Sequence, residues 1–476
     1  MSSRWVYAAL VCYVIGFALF PPRVFLVVDE ERYVTQSVAF AHGERTVMPV
    51  NPAAPNLTPY GVEHDYPPGT SLLQTPFVAL GGWRAAGLAS VLALVVATLA
   101  TMRGLRALGS DPGFALIVPA FPGSLFFARL GMSDVPATAA VALALWLLLR
   151  ARATGAGVSF AAGLACGAIA LFREPPLLLV APLAAGAILR RSCVPWALVA
   201  GGIVGVGLRL VAYTLLVGSA LHMRDPLYSF ALREATHGLP MYAGILLLML
   251  PGGALLPLFY RGPRKPELVL GLAAYVAVFV FFGYDAVRDN GLAKGVILSS
   301  RYMIPALPLL AIMAGDVVPR AAARVFQQRH DAPRTIAAAA GAAIAIAALA
   351  VHPLVRRQES VPLEVVREII GETQQNVPVV TNTRATLKYL SPSYGGRIVV
   401  PSYGVHADSL ARIARKAGVV DLVLLDRLDS RMFLEETREN GRLLDEVRAR
   451  CAVQKAAEHD HGTWARMRVL RLSGCR

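Results

Sequence analysis

The sequence predicts a mainly α, polytopic membrane protein. It should have about eleven transmembrane helices, interfacial helices on the outer face and a small C-terminal α/β extracytoplasmic domain. Three observations lead there. The 476 residues are 55% hydrophobic and 16% charged, with a mean hydropathy of +0.53, well above a soluble domain of that length. Apolar stretches near 20 residues, each able to cross a ~30 Å hydrocarbon core, recur along the first three quarters. After about residue 352 the chain changes to short, alternating strand-like and helix-like runs.

The first span runs from Trp5 to Val28 and is kinked at Pro21-Pro22. No small-x-small cleavage site follows its apolar run, so it is expected to be retained and not removed as a signal peptide. Arg23 can snorkel to the outer surface. Further spans are expected at about 83–102, 113–128, 135–149, 158–172, 175–189, 195–217, 241–260, 267–284, 301–318 and 335–351. This gives a transmembrane domain over 1–351 and a soluble domain over 352–476.

The formal net charge is +15, which at first suggests a nucleic acid. Its distribution argues against that, because the basic residues collect in short linkers between apolar runs. Arg4, Arg103, Arg106, Arg150, Arg152, Arg190, Arg191, Arg261, Arg264, Lys265, Arg320, Arg324, Arg329 and Arg334 all fall on one side. The positive-inside rule makes that side cytoplasmic and places Asp29 and the tail outside. Of the cysteines, Cys12, Cys166 and Cys193 sit in or beside apolar runs and read as inert packing residues.

Two features break the plain spanning pattern. The stretch "SFAAGLACGAIALFREPPLLLVAPLAAGAILRR" holds two apolar halves around Arg173-Glu174-Pro175-Pro176. Each half is about 15 residues and reaches only ~22 Å, short of the core thickness. The Arg173-Glu174 tip is therefore expected below the outer surface, in protein or in a wet cavity. The other break is Arg209, which is costly inside an apolar run unless it is paired or faces a cavity.

In the tail, "VPVVTN", "RIVVPSY" and "VVDLVLLD" read as strands separated by helix-like "TRATLKYL", "ADSLARIARKAG" and "FLEETRENGRLLDEVRAR". A terminal hairpin follows. The alternation predicts a small α/β domain with a partly parallel sheet. It carries no GxGxxG and no Walker loop, so no nucleotide cofactor is expected. His459 and His461 could ligate a metal, but a solvated hairpin tip is the commoner arrangement. Cys451 and Cys475 lie in an oxidising compartment on this topology, where pairing is open to them.

The chemistry concentrates on the outer loops. In "FLVVDEERYVTQSVAF", residues 25–40, an apolar run ends at Asp29-Glu30-Glu31. Val34, Val38 and Ala41 then recur at helical spacing beside Tyr33, Ser37 and Phe40, as in a short helix along the membrane surface. Next comes "HDYPPGTSLLQTPFVALGG", where Pro67 and Pro68 suit the first turn of another short helix and would present His64 and Asp65 near Asp29. A lone acidic pair after a span is usually a solvated helix end. The other outer loops change that reading. "GMSDVPAT" opens a span with Asp134, a further loop carries Arg173-Glu174, and "SSRYMIPALPLL" puts Arg301-Tyr302 behind Ser299 and Ser300 as caps. A helix start with an arginine is a ready anion site.

The pieces "DEERY", "HDYPPGTSLLQTPF", "MSDVPAT", "LFREPPLLL" and "RYMIPALP", in that order within roughly residues 5–350, resemble the C superfamily of integral-membrane glycosyltransferases. These use polyprenyl-phosphate sugars. The chain looks closest to the branch of protein O-mannosyltransferases and bacterial lipid A aminoarabinose and galacturonosyl transferases. The small α/β tail also resembles the family's frequent outer domain.

The resemblance implies a bacterial plasma-membrane enzyme with its active site outside. Such an enzyme moves a hexosyl or pentosyl group from a polyprenyl-phosphate donor to a hydroxyl of an envelope glycolipid, glycan or protein, with inversion. It implies Asp29 as the catalytic base, with Glu30 supporting it. The aminoarabinose branch puts an acid and a lysine just before its Pro-Pro pair. Here those places hold Asp65 and Tyr66, so the acid is kept and the lysine is not. His64 is expected to contribute instead, and the phosphate to rely on Arg301, Tyr302, Arg173 or a divalent ion. Asp29, Asp65 and Asp134 could hold such an ion.

The residues fit that chemistry independently. A lipid phosphate leaving group needs charge stabilisation more than protonation, and the acceptor hydroxyl needs a base. The rival from another class is a polytopic transporter or lipid flippase. It would also explain a polar cavity and Arg209, but no similarity between halves accompanies it.

Overall fold

A computed structural model describes residues 3–43, 66–150, 155–217, 230–282, 292–325, 332–374, 376–381, 399–401, 407–428 and 434–476. Helices stand where the apolar runs stand: α1 (Ser3–Leu19), α2 (Val28–Ala41), α3 (Gly69–Gly81), α4 (Gly87–Ala107), α5 (Ile117–Ala120), α6 (Pro122–Arg129) and α7 (Asp134–Arg150). Next come α8 (Ala156–Phe172), α9 (Leu177–Leu189), α10 (Pro195–Val217), α11 (Ala235–Leu248), α12 (Leu256–Phe259) and α13 (Lys265–Val280). They are followed by α14 (Leu292–Ser300), α15 (Leu307–Val325), α16 (Ala332–Gln358) and α17 (Ser360–Glu372). Two compact units result. One comprises Met1–Pro21, Asp65–Asp285 and Val296–Val355; the other comprises Pro22–His64, Ala286–Gly295 and Arg356–Arg476.

Among the described residues, four helical stretches are long and apolar enough to cross a membrane: Trp83–Ala107, Pro195–Leu216, Gly295–Arg324 and Thr335–Glu372. Two bent pairs, Pro112–Ala120 with Pro122–Arg129 and Leu232–Leu248 with Gly253–Phe259, raise the number to six if each is one span. The count of about eleven is therefore not reproduced by helix length and composition. The breaks have local causes. Pro122 opens α6 after a 64° bend, and left-handed Gly252 precedes the second half of the 110° pair. Helices α1, α8 and α9 are 17, 17 and 13 residues long, or about 20–26 Å by helical rise.

In the larger unit α8 and α10 pack backbone to backbone. A Cβ on Gly163 would collide with the Leu198 carbonyl, and one on Gly201 with the Phe160 carbonyl. Small residues permit such an approach between apolar helices, where dispersion must replace the hydrophobic effect. Elsewhere on α10, the side chains of Trp196, Val199, Ile203 and Leu215 are exposed and apolar, as lipid contact requires. Gly163→Leu is expected to wedge the pair apart and destabilise the protein by about 1–3 kcal/mol or more. Gly207→Ala adds a Cβ that meets nothing within 4 Å and should be near neutral. Thermal melts of the two variants in detergent check the contrast.

The smaller unit contains a five-stranded sheet in the order β2-β1-β3-β5-β4. Its elements are β1 (Val379–Thr381), β2 (Val399–Pro401), α18 (Ala407–Ala417), β3 (Val419–Arg427), α19 (Leu434–Arg448), β4 (Ala452–Asp460) and β5 (Ala465–Ser473). β2, β1 and β3 run parallel, while β5 pairs antiparallel with both β3 and β4. That is the partly parallel sheet the tail's alternation predicts. β3 is buried along both faces, as its unbroken apolar run implies. One face packs Leu410, Ala411 and Ala414 of α18 with Leu443, Leu444 and Val447 of α19; the other packs Val365, Val366 and Ile369 of α17. The helix expected at "TRATLKYL" lies outside the described residues.

Cys451 and Cys475 are disulfide-bonded. The histidine pair is not a solvated tip. His461 Nε2 lies 2.9 Å from Glu368 Oε2 with its side chain 6% exposed, and His459 lies 3.4 Å from Glu368 and 3.6 Å from Glu372. Arg23 does not simply reach for the surface either. Its Nε donates to the buried carboxylate of Glu359 at 3.3 Å, and its terminal nitrogen to the Arg356 carbonyl at 3.2 Å.

Candidate active site

Within the larger unit, four of the expected residues come together: Asp134, Arg173, Arg301 and Tyr302. Asp134 begins α7 and is fully buried. Arg173 reaches it because α8 stops at Phe172: Arg173 takes extended backbone, and Pro176 leads directly into α9. The Arg173 guanidinium forms an ion pair with Asp134 Oδ1 and lies 4.8 Å from the centre of the Tyr302 ring. Its side chain is 20% exposed, so this arginine is sunk in protein, as the short flanking helices predict. Glu174 pairs with Arg209, whose guanidinium also lies 5.3 Å from the Tyr213 ring. The partner that Arg209 requires in an apolar helix is therefore present.

Arg301 and Tyr302 open a 3-10 turn, Arg301–Ala306, between α14 and α15. The expected serine cap is absent. Ser300 has right-handed helical backbone and makes no side-chain cap bond; its hydroxyl donates to the Ile297 carbonyl at 2.7 Å. The helical stretch runs through from Gly295 to Arg324, so no orphan amides face outward at Arg301. What the segment supplies instead is a ring and a guanidinium. Arg301 donates to the Tyr302 hydroxyl oxygen at 2.8 Å and lies 4.8 Å from its ring centre.

Tyr302 is held firmly. Phe279 stacks on it at 4.8 Å, and the Tyr275 hydroxyl donates to its carbonyl at 2.5 Å. Two guanidiniums thus share one tyrosine ring, and a single buried carboxylate answers Arg173. Planar, multi-donor cations set on an aromatic face suit a phosphate or carboxylate.

Helix α3 borders this cluster. A Cβ on Gly69 would lie 2.5 Å from the Leu171 carbonyl oxygen, just before Arg173. Gln74 donates to the Gly131 carbonyl at 2.7 Å, in the loop leading to Asp134. The Pro-Pro-Gly sequence therefore sets α3 tightly against the elements that carry Asp134 and Arg173. His64 and Asp65, immediately before it, lie outside the described residues.

Asp29 and Glu30 belong to the smaller unit, in the first turn of α2 after extended Val27. They are adjacent but not equivalent. Glu30 is 3% exposed and its Oε2 accepts the Leu26 amide at 3.1 Å, so it closes the turn that enters the helix. Asp29 is half-buried. Both lie at the positive end of the α2 dipole. On α2, Tyr33, Val34, Ser37 and Val38 are buried, in line with the helical spacing of the sequence.

Sequence reasoning missed the aromatic residues around Tyr302, namely Tyr242, Tyr275 and Phe279, which read as ordinary apolar-span residues. It also missed Arg129, which is fully buried in the larger unit. Arg129 donates to the Phe20 carbonyl and lies 3.4 Å from His352 Nδ1, while His352 packs 4.6 Å from the Tyr13 ring. A signal existed there: a lone arginine inside "SLFFARLG".

Among the described residues no three His, Cys, Asp or Glu side chains are grouped to hold a metal ion. Asp134, one of the expected ligands, is engaged by Arg173, an arrangement suited to fixing a cationic side chain and not to receiving a cation.

No family model matches the sequence, and no curated protein matches it. Among solved structures, ArnT from Cupriavidus metallidurans bound to undecaprenyl phosphate superposes with a TM-score of 0.60 at 15% identity, covering 98% of each chain. The apo state of ArnT from the same organism gives 0.57 at 16% identity, covering 98% of this chain and 97% of that one. Over nearly its whole length the chain has the fold of ArnT.

Proposed function

We propose that the chain is an inverting glycosyltransferase of a bacterial plasma membrane. It would move a hexosyl or pentosyl group from a polyprenyl-phosphate donor to a hydroxyl of an envelope glycolipid, glycan or protein on the outer face. The observation that carries this reading is the pair of guanidiniums, Arg173 and Arg301, held on Tyr302 in a fold shared with a protein solved bound to undecaprenyl phosphate. Arg301 and Tyr302 hold the donor phosphate, with Arg173 set beside them by Asp134. The acceptor oxygen attacks the anomeric carbon opposite the phosphate, and its proton passes to the Asp29 carboxylate. The bond from anomeric carbon to phosphate oxygen breaks with its electron pair going to the phosphate, whose negative charge the guanidiniums stabilise. Glu30 keeps the turn before α2 closed. His64 takes over the phosphate contact of the aminoarabinose branch's lysine, Asp65 keeps that branch's acid, and no step is assigned to a metal.

The outer-face location draws on the basic linkers and on the disulfide Cys451–Cys475, which suits an oxidising compartment. The test uses purified protein in lipid with labelled polyprenyl-phosphate sugars and a panel of envelope acceptors. Sugar transfer with release of polyprenyl phosphate is the expected result. Movement of the intact labelled lipid between leaflets without transfer would establish the flippase instead.

A further inference from the structure

Tyr242, in α11, is 1% exposed, and its hydroxyl finds no hydrogen-bond partner among the described residues. Its position follows from a glycine. Gly238, one turn earlier, brings α11 onto the Val280 backbone at the end of α13, where any Cβ would collide. The Tyr242 ring then lies 6.1 Å from Phe279, which stacks on Tyr302. The Tyr302 ring in turn carries Arg173 and Arg301, each guanidinium 4.8 Å from its centre.

A phenol that merely fills the core would be better replaced by phenylalanine, because a buried O–H without an acceptor loses its hydration and gains nothing. Tyr275 makes the contrast: it is equally buried, but its hydroxyl donates to the Tyr302 carbonyl. A donor unsatisfied among the described residues, one stacked ring away from the ring that carries two guanidiniums, suits an acceptor that a ligand brings.

We propose that the Tyr242 hydroxyl is a ligand-binding donor, hydrogen-bonding a phosphate oxygen of a polyprenyl phosphate held by Arg173 and Arg301. The neighbouring guanidiniums select an anion, and a neutral phenol orients one of its oxygens without adding charge. The assignment rests on the donor class proposed above but not on sugar transfer.

The experiment measures binding of sugar-free polyprenyl phosphate to the full-length protein in nanodiscs, for the parent and Tyr242→Phe, alongside thermal melts. Tyr242→Phe should melt no lower than the parent and bind about tenfold more weakly, as expected for a lost hydrogen bond to a charged group. Unchanged affinity overturns the assignment. A lowered melting temperature would also overturn it, by showing that the hydroxyl serves the fold. If the parent itself does not bind polyprenyl phosphate, the donor class and the Tyr242 assignment fall together. If the parent binds but transfers no sugar, only the transferase reading falls, and the Tyr242→Phe affinity still decides the assignment.

Discussion

Asp29→Asn is expected to leave folding and donor binding intact while sugar transfer falls by about 10²–10⁴-fold, the range for loss of a general base. The substitution keeps the shape of a half-buried side chain in the first turn of α2. The charge–dipole part of its structural cost is about 0.3–1 kcal/mol. Glu30 supplies the control. Its role is the bond from its Oε2 to the Leu26 amide, and Glu30→Gln retains an oxygen for that amide, so transfer should drop far less. Glu30→Ala removes the acceptor and should lower the melting temperature, by analogy with the loss of a helix cap at about 0.5–2 kcal/mol. Initial rates with saturating donor, read beside melts of all three variants, separate chemistry from structure. Transfer by Asp29→Asn within a few-fold of the parent would remove Asp29 as the base.

The sequence showed what depends on local periodicity and on the cost of burying charge. The helices stand where the apolar runs stand, and the short halves around Arg173-Glu174 foretold a sunken arginine. Arg209 needed a partner, and Glu174 is that partner. Pairings between distant segments were not legible. Asp134 and Arg173 are brought together by the abrupt end of α8 and the start of α7, which no spacing in the sequence encodes. For the same reason Asp134 read as a metal or substrate ligand, while the structure engages it with a guanidinium. The serine pair before Arg301 matched a cap by composition, but Ser300 bonds back to the Ile297 carbonyl and the helix continues. Side-chain competition of this kind is decided by backbone conformation, not by residue type. The sequence assigned Asp29 and Glu30 different roles by resemblance alone, and the deeper burial of Glu30 with its bond from the Leu26 amide gives Glu30 a structural one.

The buried pair Asp134–Arg173 should produce the second large effect, and a double substitution tells its two roles apart. Arg173→Ala leaves a fully buried carboxylate without its guanidinium, and breaking such a pair costs about 3–5 kcal/mol. Asp134→Ala strands the guanidinium in turn, although Arg173 is 20% exposed and can draw some solvation, so its loss of stability should be smaller. Asp134→Leu with Arg173→Met removes both charges and replaces them with apolar volume, which restores most of the stability. Transfer should not return with it. If Arg173 helps to hold the donor phosphate, the stable double variant still lacks one of the two guanidiniums on the Tyr302 ring, and its donor KM should stay raised. Melts and donor titrations on the parent, both single variants and the double variant close the cycle. A double variant that regains both stability and the parent's donor KM would confine Arg173 to neutralising Asp134 and leave Arg301 and Tyr302 as the phosphate's partners.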